Sequence, residues 1–242
     1  MNNIIQFPKQ RADFMLLSYK KHATASTYKS NHEPCCAVDE NKKTYWSSAS
    51  GLAGEWFQID LGTLKSVHAV QIGSELTACC KLYGSADGKS FTLLFDGTGG
   101  ESLLDGLIAF EGEKRLRFLK LEFTSDVSDC FSLFDFRVFG FGNGSVPQKV
   151  ENPFAFKSSN TQATVFWNKV STAVGYNVRF GSDPERLYNS KSVYNADSLS
   201  FDFLSNDICY YAVDSFNENG VTKGDINIIN AVTVNKKIRR VH

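Results

Sequence analysis

Apolar and polar residues alternate along many short segments of this 242-residue chain. The clearest segment is 55–61, read EWFQIDL, where Phe57, Ile59 and Leu61 alternate with polar neighbours. A period of two is typical of a strand with one buried face. Further strands are predicted at 67–72, 81–83, 91–95, 117–123, 134–141, 163–167, 175–180, 210–216 and 226–234, with turn residues between them. Only residues 1–20 have a pattern that favours a helix or an irregular cover. The chain is therefore predicted to be all-β, built from sandwiches or barrels.

A glycine-rich break divides the strand pattern. The segment 140–147 reads GFGNGSVP, and such a run after an apolar strand predicts a linker. We predict one domain over 1–143, including an N-terminal extension, and a second over 147–242. The second has the size of an immunoglobulin-like sandwich.

Charge and motif content exclude several functions. The chain has 26 basic and 26 acidic residues, so it lacks the net positive charge of a general nucleic-acid binder. No run of about 18 apolar residues predicts a membrane span. Residues 1–15 lack the apolar core of a signal peptide, so no export signal is expected in this chain: either the protein is cytoplasmic or it is a fragment whose export signal lies elsewhere. Metalloprotease and nucleophile-elbow motifs do not occur, and we expect no catalytic activity.

Four of the six cysteines stand in two adjacent pairs, at 35–36 and 79–80. No C-x-x-C spacing occurs, which disfavours zinc ribbons and thioredoxin-like redox sites. Adjacent residues of a strand point to opposite faces, so a bridge between the two pairs is one interpretation. Buried free thiols are the other.

Several separated motifs carry a resemblance to a known family. They are AVD at 37–39 with Asn41, Thr44 and Trp46; GEW at 54–56 with IDLG at 59–62; YGSADGKSF at 83–91; RFLKL at 117–121; and FRVFG at 136–140. Residues 23–142 thereby resemble a discoidin domain, also called the coagulation factor V/VIII C-type domain. Carbohydrate-binding modules of family 32 share its fold.

The second half resembles a different family. VFWNKV at 165–170 and YNVRF at 176–180 are similar to the core strands of a fibronectin type III domain, over 149–234. The tandem resembles the C-terminal ancillary region of bacterial family 43 glycoside hydrolases. The expected fold is thus a discoidin-like jelly-roll β-sandwich followed by a fibronectin type III sandwich. The resemblance implies an extracytoplasmic monomer that binds a glycan or polysaccharide and serves a linked catalytic domain.

One turn-rich loop is a candidate metal site. Asp39, Asn41 and Thr44 place short oxygen-bearing side chains at spacings of two and three, and calcium takes six to eight oxygen ligands. The discoidin resemblance implies a structural calcium ion. Its ligands would be the carbonyls of Cys36, Asn41 and Phe134, the side chains of Asp39 and Asp135, and the oxygens of Thr44. The alternatives are a sodium ion at the same site, or a turn in which Asp39 accepts backbone N–H groups without metal.

The resemblance also implies a ligand surface on loops at one end of the jelly roll. The candidates in the first loop are Tyr28, Asn31, His32 and Glu33; the loops 47–53 and 126–131 are candidates as well. Phe131 is apolar in a polar loop, so it either contacts the ligand or folds inward. Trp46 and Trp56 flank motif strands, and we expect both in the core.

Glycan recognition is the function that these features favour most. The alternative is a structural spacer or protein-interaction module, packed against a catalytic domain without binding glycan. Some discoidin relatives bind phospholipid, and here only Phe131 and Leu52 hint at such a role. The sequence does not identify the sugar.

Overall fold

A computed structural model of the chain describes residues 14–74, 79–99, 106–159, 161–203 and 208–229. The chain divides into two compact units, Met1–Gly144 and Ser145–His242. Strands dominate both, and a 3-10 turn spans Pro34–Ala37. The all-β prediction is confirmed. Within the same residues, no helix is both long and apolar enough to cross a membrane.

The first unit is built around a large antiparallel sheet. The strands of the whole unit are β1 (Met15–Leu16), β2 (His22–Ala25), β3 (Trp46–Ser47), β4 (Trp56–Gly73), β5 (Cys80–Ser85), β6 (Thr92–Asp96), β7 (Leu107–Phe123), β8 (Ser132–Leu133) and β9 (Asp135–Phe141). The sheet order is β1-β9-β4-β7-β5-β6, and β2 pairs with β4 beside this path. Strands β3 and β8 form a separate two-stranded ribbon.

The alternation along β4 has the predicted effect. Phe57, Ile59 and Leu61 are fully buried in the core of this unit. The segments 55–61 and 67–72, predicted as separate strands, belong to one strand. The chain continues through Gly62, whose φ of 83° is in the region that glycine adopts without steric cost. A register shift between Asp60 and Lys65 accommodates this turn of the backbone.

The two tryptophans of the first unit have different environments. Trp46 is completely buried, as predicted, and its ring lies near those of Phe57 and Phe123. Trp56 is only half-buried, with Lys120 Nζ 5.3 Å from its ring centroid. Its assignment to the core was therefore wrong, because its position in the alternation is out of phase with Phe57.

The second unit contains two sheets. Its strands are β10 (Phe154–Lys157), β11 (Gln162–Phe166), β12 (Gly175–Gly181), β13 (Asn189–Tyr194), β14 (Ser198–Asp202), β15 (Cys209–Asn217), β16 (Gly220–Thr222) and β17 (Asn227–Ile229). One sheet has the order β10-β11-β14, and the other β13-β12-β15-β16 with β17 also paired to β15. Trp167, Tyr176 and Phe201 lie in its core. The strand predicted at 226–234 is described only as far as Ile229, the end of β17. Its residues 230–234 lie outside the described residues, as do residues 1–13 of the segment 1–20.

All six cysteines are free, so the interpretation of a bridge between the two pairs was wrong. Cys80 and Cys209 are buried, whereas Cys35 is exposed. Burial raises the pKa of the Cys80 thiol to about 11, which keeps it protonated and unreactive at neutral pH.

Candidate functional site

Three loops of the first unit meet at one end of its sheet. Ala25, the last residue of β2, pairs with Phe57, and Trp56 pairs with Glu122 near the end of β7. The loops 26–33, 47–53 and 126–131 therefore lie at the same end of the strands. The candidate ligand loops of the sequence are thus brought together in space.

A buried carboxylate joins two of these loops. Glu55 is 7% exposed and accepts hydrogen bonds from the hydroxyls of Ser26, Thr27 and Ser50, the last two at 2.8 Å. Burial alone would raise the pKa of Glu55. The hydrogen bonds from the hydroxyls outweigh that effect and hold the pKa below its ordinary value, so Glu55 stays charged. Thr27 also accepts the backbone N–H of Ala49 at 2.9 Å.

Backbone contacts tie the third loop to the second. The N–H of Val127 donates to the Gly51 carbonyl at 2.8 Å, and the N–H of Ala53 donates to Asp126 Oδ1 at 2.7 Å. A side chain at Gly51 would clash with the Val127 carbonyl oxygen, so this approach requires glycine. The three loops are therefore joined by hydrogen bonds and form one fixed rim.

The first loop presents most of the predicted ligand residues. Tyr28 is 54% exposed, and Asn31 is exposed with a φ of 68°. Its backbone N–H lies 3.3 Å from Glu33 Oε1, so this carboxylate shapes the turn. The structure thus places Tyr28, Asn31, His32 and Glu33 on one loop, with Tyr28 and Asn31 exposed and His32 and Glu33 half-buried.

His32 connects the ligand loop to the candidate metal loop. Its ring lies 4.1 Å from that of Tyr45, which in turn lies 5.4 Å from that of Phe134. His32 Nδ1 is 3.3 Å from the Tyr45 carbonyl oxygen. A hydrogen bond there requires the proton on Nδ1, which leaves Nε2 of the neutral ring as an acceptor for a hydroxyl.

Phe131 is not part of the exposed surface. It is completely buried and stacks on Phe123 with ring centroids 4.0 Å apart. Its N–H donates to Ser48 Oγ at 2.9 Å, which fixes the backbone against the second loop. Its candidacy as a ligand-binding residue was therefore wrong, and the alternative holds: the loop folds inward and closes this end of the core.

One ion pair at the rim was not predicted from the sequence. Lys29 Nζ lies 3.4 Å from Asp129 Oδ1, and the Asp129 side chain is 83% exposed. Leu52, on the second loop, is 64% exposed. The paired charges lie 100 positions apart in sequence, so no local spacing could have indicated their contact.

The candidate metal loop gathers oxygens around Thr44. Its Oγ1 lies 2.8 Å from Asp39 Oδ2, 3.1 Å from Asp39 Oδ1 and 2.8 Å from the Asn41 carbonyl oxygen. A hydroxyl has one proton to donate, so it cannot satisfy all three acceptors fully. Asp39 Oδ1 also accepts the backbone N–H of Asn41 at 2.9 Å, which is the predicted turn geometry.

The closing strand brings a second carboxylate to this loop. Burial raises the pKa of Asp135, while Arg137 lowers it and the charges of Glu40 and Asp39 raise it further. Arg137 contacts both Asp135 and Glu40, the residue that follows Asp39, so the closing strand is tied to this loop. Arg137 donates to Glu40 Oε1 at 2.8 Å and lies 3.2 Å from Asp135 Oδ2. Glu40 adopts a φ of 57°, which costs energy without glycine, and its ion pair holds it there.

The remaining predicted ligands flank these groups. Cys36 lies in the 3-10 turn, and Phe134 directly precedes β9 with its N–H bonded to the Gly73 carbonyl at 2.8 Å. In the part of the chain that the structure describes, no three His, Cys, Asp or Glu side chains converge on one point. Besides the Asp39 and Asp135 carboxylates, a cation here would therefore depend on carbonyl and hydroxyl oxygens, which suits calcium and not zinc.

Comparison with known proteins gives matches to the first unit. Residues 22–135 match the family model described as F5/8 type C domain. A solved chitosan-binding module 2, from a Paenibacillus sp. IK-5 chitosanase/glucanase and in complex with chitotriose, is 29% identical over 51% of this chain and 99% of that one, with a TM-score of 0.46. Module 1 of that enzyme is 25% identical over 52% and 99%, with a TM-score of 0.47.

A more distant solved structure also matches. The family 32 carbohydrate-binding module of Clostridium perfringens NanJ, in complex with galactose, is 18% identical over 52% of this chain and 99% of that one, with a TM-score of 0.47. A search among curated proteins found no match.

Proposed function

We propose that the chain is a non-catalytic carbohydrate-binding module, because residues 22–135 match the family model described as F5/8 type C domain. The observation that supports this most is the rim of three interlocked loops. Hydrogen bonds to Glu55 and Gly51 fix the rim, so little conformational entropy is lost when a ligand binds. The exposed ring of Tyr28 offers an apolar face, and Asn31 and His32 offer hydrogen-bonding groups nearby.

Replacing Tyr28 with Ala is expected to weaken glycan binding about tenfold, because a stacked aromatic ring contributes on the order of 1.4 kcal/mol. Binding of the full chain to an array of immobilised glycans identifies the ligand, and titration of that ligand measures the loss. Tyr188→Ala is the matched control, because Tyr188 is 75% exposed in the second unit. No array signal from folded wild-type protein would refute glycan binding and favour the spacer alternative.

The loop at Asp39 is proposed to hold a structural calcium ion. The crowded oxygens of Asp39, Asn41 and Thr44 support this, as does the carboxylate of Asp135, which shares Arg137 with Glu40 of the same loop. The carbonyls of Cys36 and Phe134 would complete the ligand set. Bound calcium would fasten the loop to the closing strand and neutralise clustered negative charge. Arg137 already supplies part of that neutralisation through Glu40 and Asp135.

Calcium at a hundredfold excess over its dissociation constant is expected to stabilise the first unit by about 2.7 kcal/mol. Thermal unfolding in calcium and in chelator measures the difference. Asp39→Ala should abolish it, whereas the exposed Glu113→Ala should leave it unchanged. Coincident wild-type unfolding curves in the two buffers would show that the Asp39 turn and the Glu40–Arg137 pair hold the loop without metal.

The second unit is proposed to be a fibronectin type III sandwich. A three-stranded sheet of β10-β11-β14 and a second sheet with β12 and β15 at its centre support this, since immunoglobulin-like folds divide their strands in this way. We further propose that the tandem serves a polysaccharide-degrading catalytic domain outside the cytoplasm, where polymeric glycans are encountered.

A further inference from the structure

The outer face of the β10-β11-β14 sheet carries an exposed aromatic cluster. Phe154 and Phe156 are 60% and 40% exposed, while Ala155 between them packs against the core. Phe154 pairs across the strands with Phe166. The ring centroids of Phe154 and Phe156 lie 5.2 and 5.5 Å from that of Phe166, with interplanar angles of 13° and 17°. The three rings are therefore nearly parallel and form one ordered surface.

Hydrogen-bonding groups continue this surface toward β14. Thr164 Oγ1 and Ser200 Oγ lie 2.8 Å apart, and Gln162 Nε2 donates to Asp202 Oδ1 at 3.2 Å. The hydroxyl pair has two protons and uses one for its mutual bond, so one proton remains for a ligand. The Gln162 amide has a second N–H, and Asp202 has a second oxygen. The face thus combines aromatic rings with planar and hydroxyl polar groups.

The size of the aromatic cluster disfavours a protein partner. The exposed parts of Phe154 and Phe156 add up to about one phenylalanine side chain, roughly 200 Å². A stable protein interface buries about 800 Å² on each partner. Within the outward-facing residues of these three strands, which the structure describes throughout, Asp202 is the only ionisable group. A negative charge without a basic partner on this face disfavours anionic ligands.

We propose that this outer sheet face is a second carbohydrate-binding surface, specific for uncharged polysaccharide. Sugar rings would lie against Phe154 and Phe156, and their hydroxyls would bond to Thr164, Ser200 and Gln162. The choice of a glycan as occupant rests on the function proposed above, whereas the surface belongs to the other unit. Two weak sites on one chain increase the apparent affinity for a polymer, because the second contact becomes intramolecular.

Affinity electrophoresis of the full chain tests this proposal. Native gels contain arabinoxylan, glucomannan, galactan or polygalacturonate, and the retardation gives a dissociation constant. At least one neutral polymer should retard the wild type. The double variant Phe154→Ala/Phe156→Ala should bind it about tenfold more weakly. Thr164→Val, which keeps the rings and removes the hydroxyl, should weaken binding by a smaller factor. Tyr188→Ala should bind as the wild type does.

The other possible results distinguish binding at this sheet face from binding at the loops of the first unit. Unchanged retardation of the double variant, with loss in Tyr28→Ala, would overturn the second surface and leave the first. Loss in the double variant alone would support the second surface and contradict the loop site. No retardation of the wild type, or retardation by polygalacturonate alone, would overturn the proposal. A wild-type dimer that the double variant dissociates in sedimentation would identify the face as a self-association surface instead.

Discussion

Phe131→Ala is expected to lower the free energy of unfolding of the first unit by about 3–5 kcal/mol, the usual range for removing a buried phenylalanine. Phe131 is completely buried and stacks on Phe123, whose ring lies 6.2 Å from that of Trp46. The substitution would leave a cavity beneath the loops and remove one layer of this aromatic stack. Denaturant unfolding measured by tryptophan fluorescence reports the loss, since Trp46 is near the cavity.

Leu52→Ala is the matched control for this prediction. Leu52 also lies on the rim but is 64% exposed, so its removal should change stability by no more than about 0.5 kcal/mol. If Phe131 were a ligand residue, Phe131→Ala would weaken binding and leave unfolding unchanged. That result would require the loop 126–131 to turn outward, contrary to the structure.

The alternation of apolar and polar residues was sufficient to predict which residues of β4 are buried in the core of the first unit. Phe57, Ile59 and Leu61 alternate with polar residues, and the hydrophobic effect drives that apolar set to the inside. The same rule explains Trp56, which occupies the opposite phase and is half-buried. Proximity to a motif was a weaker guide than its position in the alternation.

Loop residues were harder to interpret because their partners are distant in sequence. Phe131 follows the polar residues Ser128 and Asp129 in its loop, and its contact with Phe123 shows that it closes the core. Likewise, Glu40 bonds to Arg137, 97 positions away. Such contacts depend on how the loops return to one end of the sheet, which local pattern does not encode. The motif spacing, by contrast, predicted that Asp39, Asn41 and Thr44 share one turn.

Glu55→Ala is expected to destabilise the first unit by about 3 kcal/mol at neutral pH, because hydrogen bonds to a charged group are worth about 1.5–3 kcal/mol each and are not additive. Glu55 is in phase with Phe57, so the alternation directs its carboxylate to the buried side. There it accepts from Ser26, Thr27 and Ser50. The substitution leaves these hydroxyls without their shared acceptor and loosens two loops at once. Denaturant unfolding measures the loss.

The pH dependence of stability identifies the charge as the cause. The pKa of Glu55 is lower in the folded protein than its ordinary value of 4.5. Its contribution is therefore complete above that value and is lost as the pH falls through the folded pKa. Glu55→Gln should remove this part of the acid-induced destabilisation, and the exposed Glu113→Ala should retain it. An equal decline in stability from pH 6 to pH 3 in wild type and Glu55→Gln would contradict a charged Glu55. The two loops would then be held by neutral hydrogen bonds alone, which are about half as strong.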